Sequence, residues 1–129
     1  MKNNPLTAID FYKADHIRQY PDGTELVYSN FTPRSGKHAN TDLGGVIFFG
    51  LQGFIQEFLV EAWNYGFFSR DKEEVVSAYK RRMDNALGKD AIDIQHIADL
   101  HDLGHMPIVI KALPEGSFVP YGVPVLTIF

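Results

Sequence analysis

Pro107-Ile108-Val109-Ile110-Lys111-Ala112-Leu113-Pro114-Glu115-Gly116-Ser117-Phe118-Val119-Pro120-Tyr121-Gly122-Val123-Pro124-Val125-Leu126-Thr127-Ile128-Phe129 is the stretch that decides the fold class. A β-branched run covers Pro107 to Leu113. Turns follow at Pro114-Glu115-Gly116 and Pro120-Tyr121-Gly122, and a second apolar run occupies Val123 to Phe129. This reads as strand, turns, strand, whereas most of the preceding chain carries helical periodicity. Helices and strands partly segregated along a chain predict an α+β domain, with a small, mainly antiparallel sheet and about four helices. The last strand ends at Thr127-Ile128-Phe129 without a polar tail, so a longer chain is expected.

Upstream, Leu51, Phe54, Ile55, Phe58, Leu59 and Ala62 recur at i, i+3, i+4, i+7, i+8 and i+11, the clearest amphipathic helix in the sequence. A further helix is predicted from Asp71 to Leu87, with Ser69 as its cap, Val75, Val76, Tyr79 and Met83 on its apolar side, and Gly88 as its stop. A shorter one is predicted from Ala91 to Leu103, ending at Gly104. At the N-terminus, Thr7 to Tyr20 reads as a helix that places Ile9, Tyr12, His16 and Tyr20 on one face, with Thr7 and Asp10 in the form of a capping box. Tyr20-Pro21-Asp22-Gly23 is a turn signal, Glu25 to Thr32 alternates like a strand, and Pro33 to Gly45 reads as an exposed loop carrying Arg34, Lys37 and His38.

Composition bounds the function. The 129 residues lack an internal repeat, which argues for one domain over 1–129, and 45% hydrophobic with 22% charged residues is ordinary for a folded domain. Twelve Lys and Arg against sixteen Asp and Glu give a net charge of −4, which disfavours general binding to nucleic acid or to an anionic membrane. The absence of Cys excludes disulfides, thiolate metal sites and a Cys nucleophile. The start Met-Lys-Asn-Asn-Pro has no apolar signal region, and no run approaches the ~18 apolar residues of a membrane span. A cytoplasmic location is expected.

Few residues form a recognisable chemical pattern on their own. His96 and His101 would project about 140° apart on a helix, and Gly104 interrupts it before His105, so surface or capping histidines are expected rather than a metal site. Gly44-Gly45 and Gly50-Leu51-Gln52-Gly53 lack phosphate-loop spacing and are read as permitting a sharp loop and close helix packing. No nucleophile elbow is present, and no triad can be ordered from the sequence. Two candidate regions remain: the crowded Asp10, Tyr12, Lys13, Asp15 and His16, and the basic loop around Arg34.

Several linked motifs carry a family resemblance. Ile9-Asp10-Phe11-Tyr12-Lys13-Ala14-Asp15-His16, then Gln19-Tyr20-Pro21, Val27-Tyr28-Ser29-Asn30-Phe31 with Arg34, and Phe49-Gly50-Leu51-Gln52 resemble the start of the nicotinamide phosphoribosyltransferase family. Gly104-His105-Met106-Pro107-Ile108, Ile110 through Gly116, Val119-Pro120 and Gly122 continue the resemblance in the same order. It implies the N-terminal part of a type II phosphoribosyltransferase whose barrel domain is absent from these residues. It also implies a full-length pentosyltransferase, acting in NAD salvage, that joins nicotinamide to phosphoribosyl pyrophosphate, with the isolated fragment inactive.

The resemblance assigns roles only where positions match. Tyr12 corresponds to a tyrosine that stacks on nicotinamide across a homodimer interface, Arg34 to an arginine that approaches the substrate phosphate from the partner subunit, and Asp10 to a residue beside the same pocket. It assigns no catalytic residue and no metal ligand here, and none of the five histidines matches the one that the family phosphorylates with ATP. No cofactor is expected within the fragment; Mg²⁺ and ATP are expected for the full-length enzyme. Without the resemblance, Tyr12 would line the core with His16 and Tyr20, and Asp10 would serve as the third helical residue of a capping box. A nicotinate-specific relative and a non-catalytic protein-interaction module are the alternative readings.

Overall fold

The computed structural model describes residues 4–129. The chain divides into two units: the described residues up to Asp22 together with Phe54–Met106, and Gly23–Gly53 together with Pro107–Phe129.

The first unit is helical. Its centre is α2 (Lys72–Leu87), which buries Val75, Val76, Tyr79 and Met83, the four residues expected on its apolar side. The cap is Asp71 rather than Ser69: the Asp71 carboxylate accepts the Glu74 N–H at 2.9 Å, satisfying a free amide of the first turn. Gly88 ends the helix at φ 105°. The helix predicted from Ala91 is shorter, because α3 spans Gln95–Leu103; Gly104, in left-handed conformation, donates to the Leu100 and His101 carbonyls and closes it. Ile92 and Ile97 join the α2 face, and with Leu6, Ala14 and Phe67 they complete the core.

The N-terminal segment departs from its predicted α-helix. It forms two tighter 3₁₀ stretches, Pro5–Ala8 and Phe11–Gln19, with Ile9 and Asp10 extended between them. With three residues per turn, residues three apart eclipse. Phe11 and Ala14 therefore face the core, while Tyr12, His16 and Tyr20, which a 3.6-residue period would have buried, are exposed. The capping box does not form either. Thr7 lies inside the first stretch and donates its hydroxyl to the Asn4 carbonyl, and the Asp10 side chain makes no capping hydrogen bond. Asn4 is the cap: buried, it accepts the Leu6 N–H and donates its amide to the Val75 carbonyl, both at 3.1 Å.

The predicted helix from Leu51 is present but changes pitch. A short α1 (Leu51–Phe54) continues through wide i→i+5 turns over Ile55–Ala62 and Asn64–Phe68. Of the predicted stripe, Leu51, Ile55, Leu59 and Ala62 remain half-buried. Phe54 and Phe58, stacked with centroids 5.2 Å apart, are 50% and 54% exposed. The core contact passes to Phe67, fully buried, and to the partly buried Trp63 and Phe68.

The second unit holds the strands. β5 (Leu126–Ile128) lies between β1 (Ser29–Phe31) and β3 (Ile110–Ala112), and β2 (Gly45–Ile47) pairs with β4 (Phe118–Pro120); every pairing is antiparallel. β1 is shorter than the predicted Glu25 to Thr32. β2 and β4 were unforeseen, since Gly44-Gly45 reads as loop and Phe118 to Pro120 lies between two turn signals. Gly45 serves close strand approach rather than helix packing: a Cβ there would lie 2.4 Å from the Val119 carbonyl oxygen. Phe48, Val119 and Val125 form this unit's core. The α+β class with a small antiparallel sheet is the architecture observed.

Candidate functional site

Asp10 and Tyr12 belong to the helical unit and Arg34 to the strand unit. The 3₁₀ turn presents Tyr12 outward, 64% exposed. Its ring meets the His16 imidazole edge-on at 5.7 Å, and the Lys13 ammonium lies 5.8 Å from its centroid. Tyr12 therefore does not take the core-facing place that periodicity alone suggested. Asp10 is exposed beside it, its carbonyl accepting the Lys13 N–H at 3.0 Å while its carboxylate caps nothing. Asp15 is occupied by an ion pair with Arg18, so among these clustered residues Asp10 is the uncommitted carboxylate.

Arg34 is exposed at the start of the loop, and its guanidinium makes no ion pair among the described residues. The loop itself is held at several points. Pro33 accepts the Gly122 N–H at 2.8 Å, the Tyr121 hydroxyl donates to Asp42 Oδ1 at 2.9 Å, and Gly44 donates to the same oxygen at 2.9 Å. Partial burial, then the hydrogen bond and negative charge of Asp42, hold the Tyr121 phenol above its ordinary pKa, so it remains a donor. Gly36 is buried so close to Tyr121 that a side chain there would collide with the hydroxyl. An arginine anchored at its base with a free planar fork suits a phosphate.

The histidines do other work. His101 is not a solvated helix-end residue. It packs edge-on against Phe67 at 5.1 Å, and its Nε2 lies 3.0 Å from the Arg70 carbonyl, so Nε2 carries the proton and donates. Partial burial lowers the His96 pKa against the opposing pull of Asp93 and Asp99. No group of three or more His, Asp or Glu side chains comes together as a metal site among the described residues.

Glu115 escaped the sequence reading. Its carboxylate accepts the Gln52 N–H at 2.9 Å, and hydrogen bonds from the backbone of Gln52, Gly50 and Leu51 hold its pKa below the ordinary carboxylate range. It thus caps the start of α1 from 63 residues away in sequence. No local pattern could have signalled this.

Comparison with known proteins follows the same lines. A family described as "Nicotinamide phosphoribosyltransferase, N-terminal domain" matches residues 4–110. The chain is 65% identical over 128 residues to a protein of Acinetobacter baylyi named nicotinamide phosphoribosyltransferase, covering 97% of this chain and 25% of that protein. A protein of the same name from Xanthomonas campestris pv. campestris is 30% identical over 118 residues, covering 92% of this chain and 22% of that protein. The chain therefore spans about a quarter of the length of these relatives. No helix among the described residues is long and apolar enough to cross a membrane. By the match over residues 4–110, the chain belongs to the nicotinamide phosphoribosyltransferase N-terminal domain family.

Proposed function

We propose that the full-length protein is a nicotinamide phosphoribosyltransferase that forms nicotinamide mononucleotide and pyrophosphate from nicotinamide and phosphoribosyl pyrophosphate in cytoplasmic NAD salvage. These residues supply part of its substrate site. The observation that carries this reading is the 65% identity, over 97% of the chain, to a relative of that name.

The chemistry explains the residues. The pyridine nitrogen attacks C1 of the ribose as pyrophosphate leaves, so the ring must be held in line with the leaving group. Exposed Tyr12 offers a stacking face, typically worth ~0.5 to 1.5 kcal/mol beyond area burial, enough to orient a small ring and still release it. Arg34 offers a bidentate fork to a phosphate, and Asp10 lies beside Tyr12 as a polar neighbour of the ring. Tyr12 and Arg34 act from one subunit of a homodimer on the pocket of the other. Mg²⁺, when bound to the full-length protein, would neutralise charge on the pyrophosphate, and ATP would supply a phosphoryl group.

The test uses two samples. Full-length protein incubated with nicotinamide, phosphoribosyl pyrophosphate, Mg²⁺ and ATP is expected to form nicotinamide mononucleotide, and this 129-residue chain alone to form none. Turnover with nicotinate in preference to nicotinamide, or turnover by the short chain, would overturn the reading. Subunit mixing addresses the shared site. Tyr12→Ala subunits combined with subunits inactivated elsewhere are expected to regain part of the activity, and hybrids that stay inactive while exchange is confirmed would remove Tyr12 from it.

A further inference from the structure

Within the helical unit, Thr7 and Phe11 on one side and Ala78, Arg81, Arg82 and Asn85 on the other wall a groove of about 520 Å³. It arises from spacing on α2. Residues three and four apart share a helix face, so Ala78, Arg81, Arg82 and Asn85 line one strip. The alanine leaves a space that the longer neighbouring side chains rim. Phe11 forms the opposite wall because the 3₁₀ turn directs it inward.

The electrostatic character of this groove is opposite to that of the chain. The net charge is −4, yet two arginines line the groove and no carboxylate does. Neither guanidinium makes an ion pair among the described residues, although nearby Lys80 is neutralised by both Asp84 and Asp90. The Arg82 guanidinium lies 5.4 Å from the Phe11 ring centroid, so its fork is steadied against an aromatic wall rather than swinging in solvent. The Asn85 amide adds neutral donors, and the Thr7 hydroxyl, already donating to the Asn4 carbonyl, leaves its oxygen as an acceptor. Two unpaired forks together call for an anion with several acceptor oxygens. The aromatic and methyl surfaces call for a flat apolar body attached to it, and the volume lies within the roughly 300–1,000 Å³ usual for small-molecule sites.

We propose that this groove binds a small organic phosphate with a planar body, of nucleoside-monophosphate size: the phosphate engages Arg81 and Arg82, and the ring lies along Phe11. Its residues are distinct from Tyr12, Arg34 and Asp10, and the proposal stands whether or not the substrate assignment holds.

Photo-crosslinking to the full-length protein with azidoadenosine monophosphate, followed by mass-spectrometric mapping, reads the site directly and without turnover. Label is expected on the peptides that carry Phe11 and α2. Its half-saturating concentration is expected to rise at least about tenfold in Arg81→Ala/Arg82→Ala. The Arg81→Lys/Arg82→Lys protein, which keeps both charges but loses the forks, is expected to fall between the two and guards against a folding defect in the alanine variant. Label confined to other segments, or groove labelling as strong in Arg81→Ala/Arg82→Ala as in the unsubstituted protein, would overturn the proposal.

Discussion

Tyr12 meets His16 edge to face across the N-terminal 3₁₀ turn, centroids 5.7 Å apart and planes inclined at 62°, and both rings are exposed. The turn is held to the core by Phe11 and Ala14, so the aromatic pair contributes little to packing. On the proposed function, Tyr12→Ala in the full-length protein is therefore expected to change stability by less than about 1 kcal/mol while raising KM for nicotinamide. Denaturant midpoints alongside steady-state kinetics check this; a large loss of stability with unchanged KM would restore a structural role.

Arg34→Ala is expected to act on the other substrate. Losing a charge-assisted hydrogen bond of ~1.5 to 3 kcal/mol should weaken phosphoribosyl pyrophosphate binding by roughly 10- to 150-fold. Nicotinamide KM is expected to move little. Initial-rate measurements with each substrate varied in turn separate the two variants.

Phe67 is the core residue whose removal should be felt most. It is fully buried and touches Trp63, Phe68 and His101 edge-on at 5.1 to 5.5 Å. Phe67→Ala leaves a cavity among rings that cannot all collapse into it, so a loss of about 3 to 5 kcal/mol is expected in equilibrium unfolding.

Two glycines should respond with opposite sign. At Gly45 a Cβ meets the Val119 carbonyl oxygen, which belongs to the paired strand and cannot retreat, so Gly45→Ala is expected to destabilise by about 1 to 3 kcal/mol. At Gly53, within α1, a Cβ meets nothing within 4 Å. Gly53→Ala there is expected to stabilise by roughly 0.5 to 1 kcal/mol through reduced freedom of the unfolded chain. Thermal unfolding of the two variants reads the difference.

Acid should loosen the start of α1. The folded-state pKa of Glu115 is lowered by the Gln52, Gly50 and Leu51 backbone donors, so its contribution is present above the unfolded carboxylate pKa. That contribution is lost as pH falls through the lower, folded value. In Glu115→Gln the acid side of the stability profile is expected to flatten, measured as denaturation midpoints from neutral to acidic pH.

Where short-range pattern governed, the sequence was sufficient. Val75, Val76, Tyr79 and Met83 lie on the buried side of α2 because a regular α-helix preserves a 3.6-residue stripe, and Gly88 and Gly104 end helices because they adopt positive φ. The linked motifs from Ile9 to Gly122 likewise marked the family that the match over residues 4–110 supports. Helical pitch was not legible in the same way. Tyr12 moved outward and Phe11 inward because the turn tightened to three residues, and Phe58 is exposed where the next helix widens. The strands β2 and β4, the anchoring of Asn4 to Val75, and the grip of Glu115 on Gln52 join segments distant in sequence. Residue type and spacing decide what a segment prefers. Tertiary structure decides its pitch and its distant partners, because buried amides and carbonyls must be satisfied by whichever groups folding brings within reach.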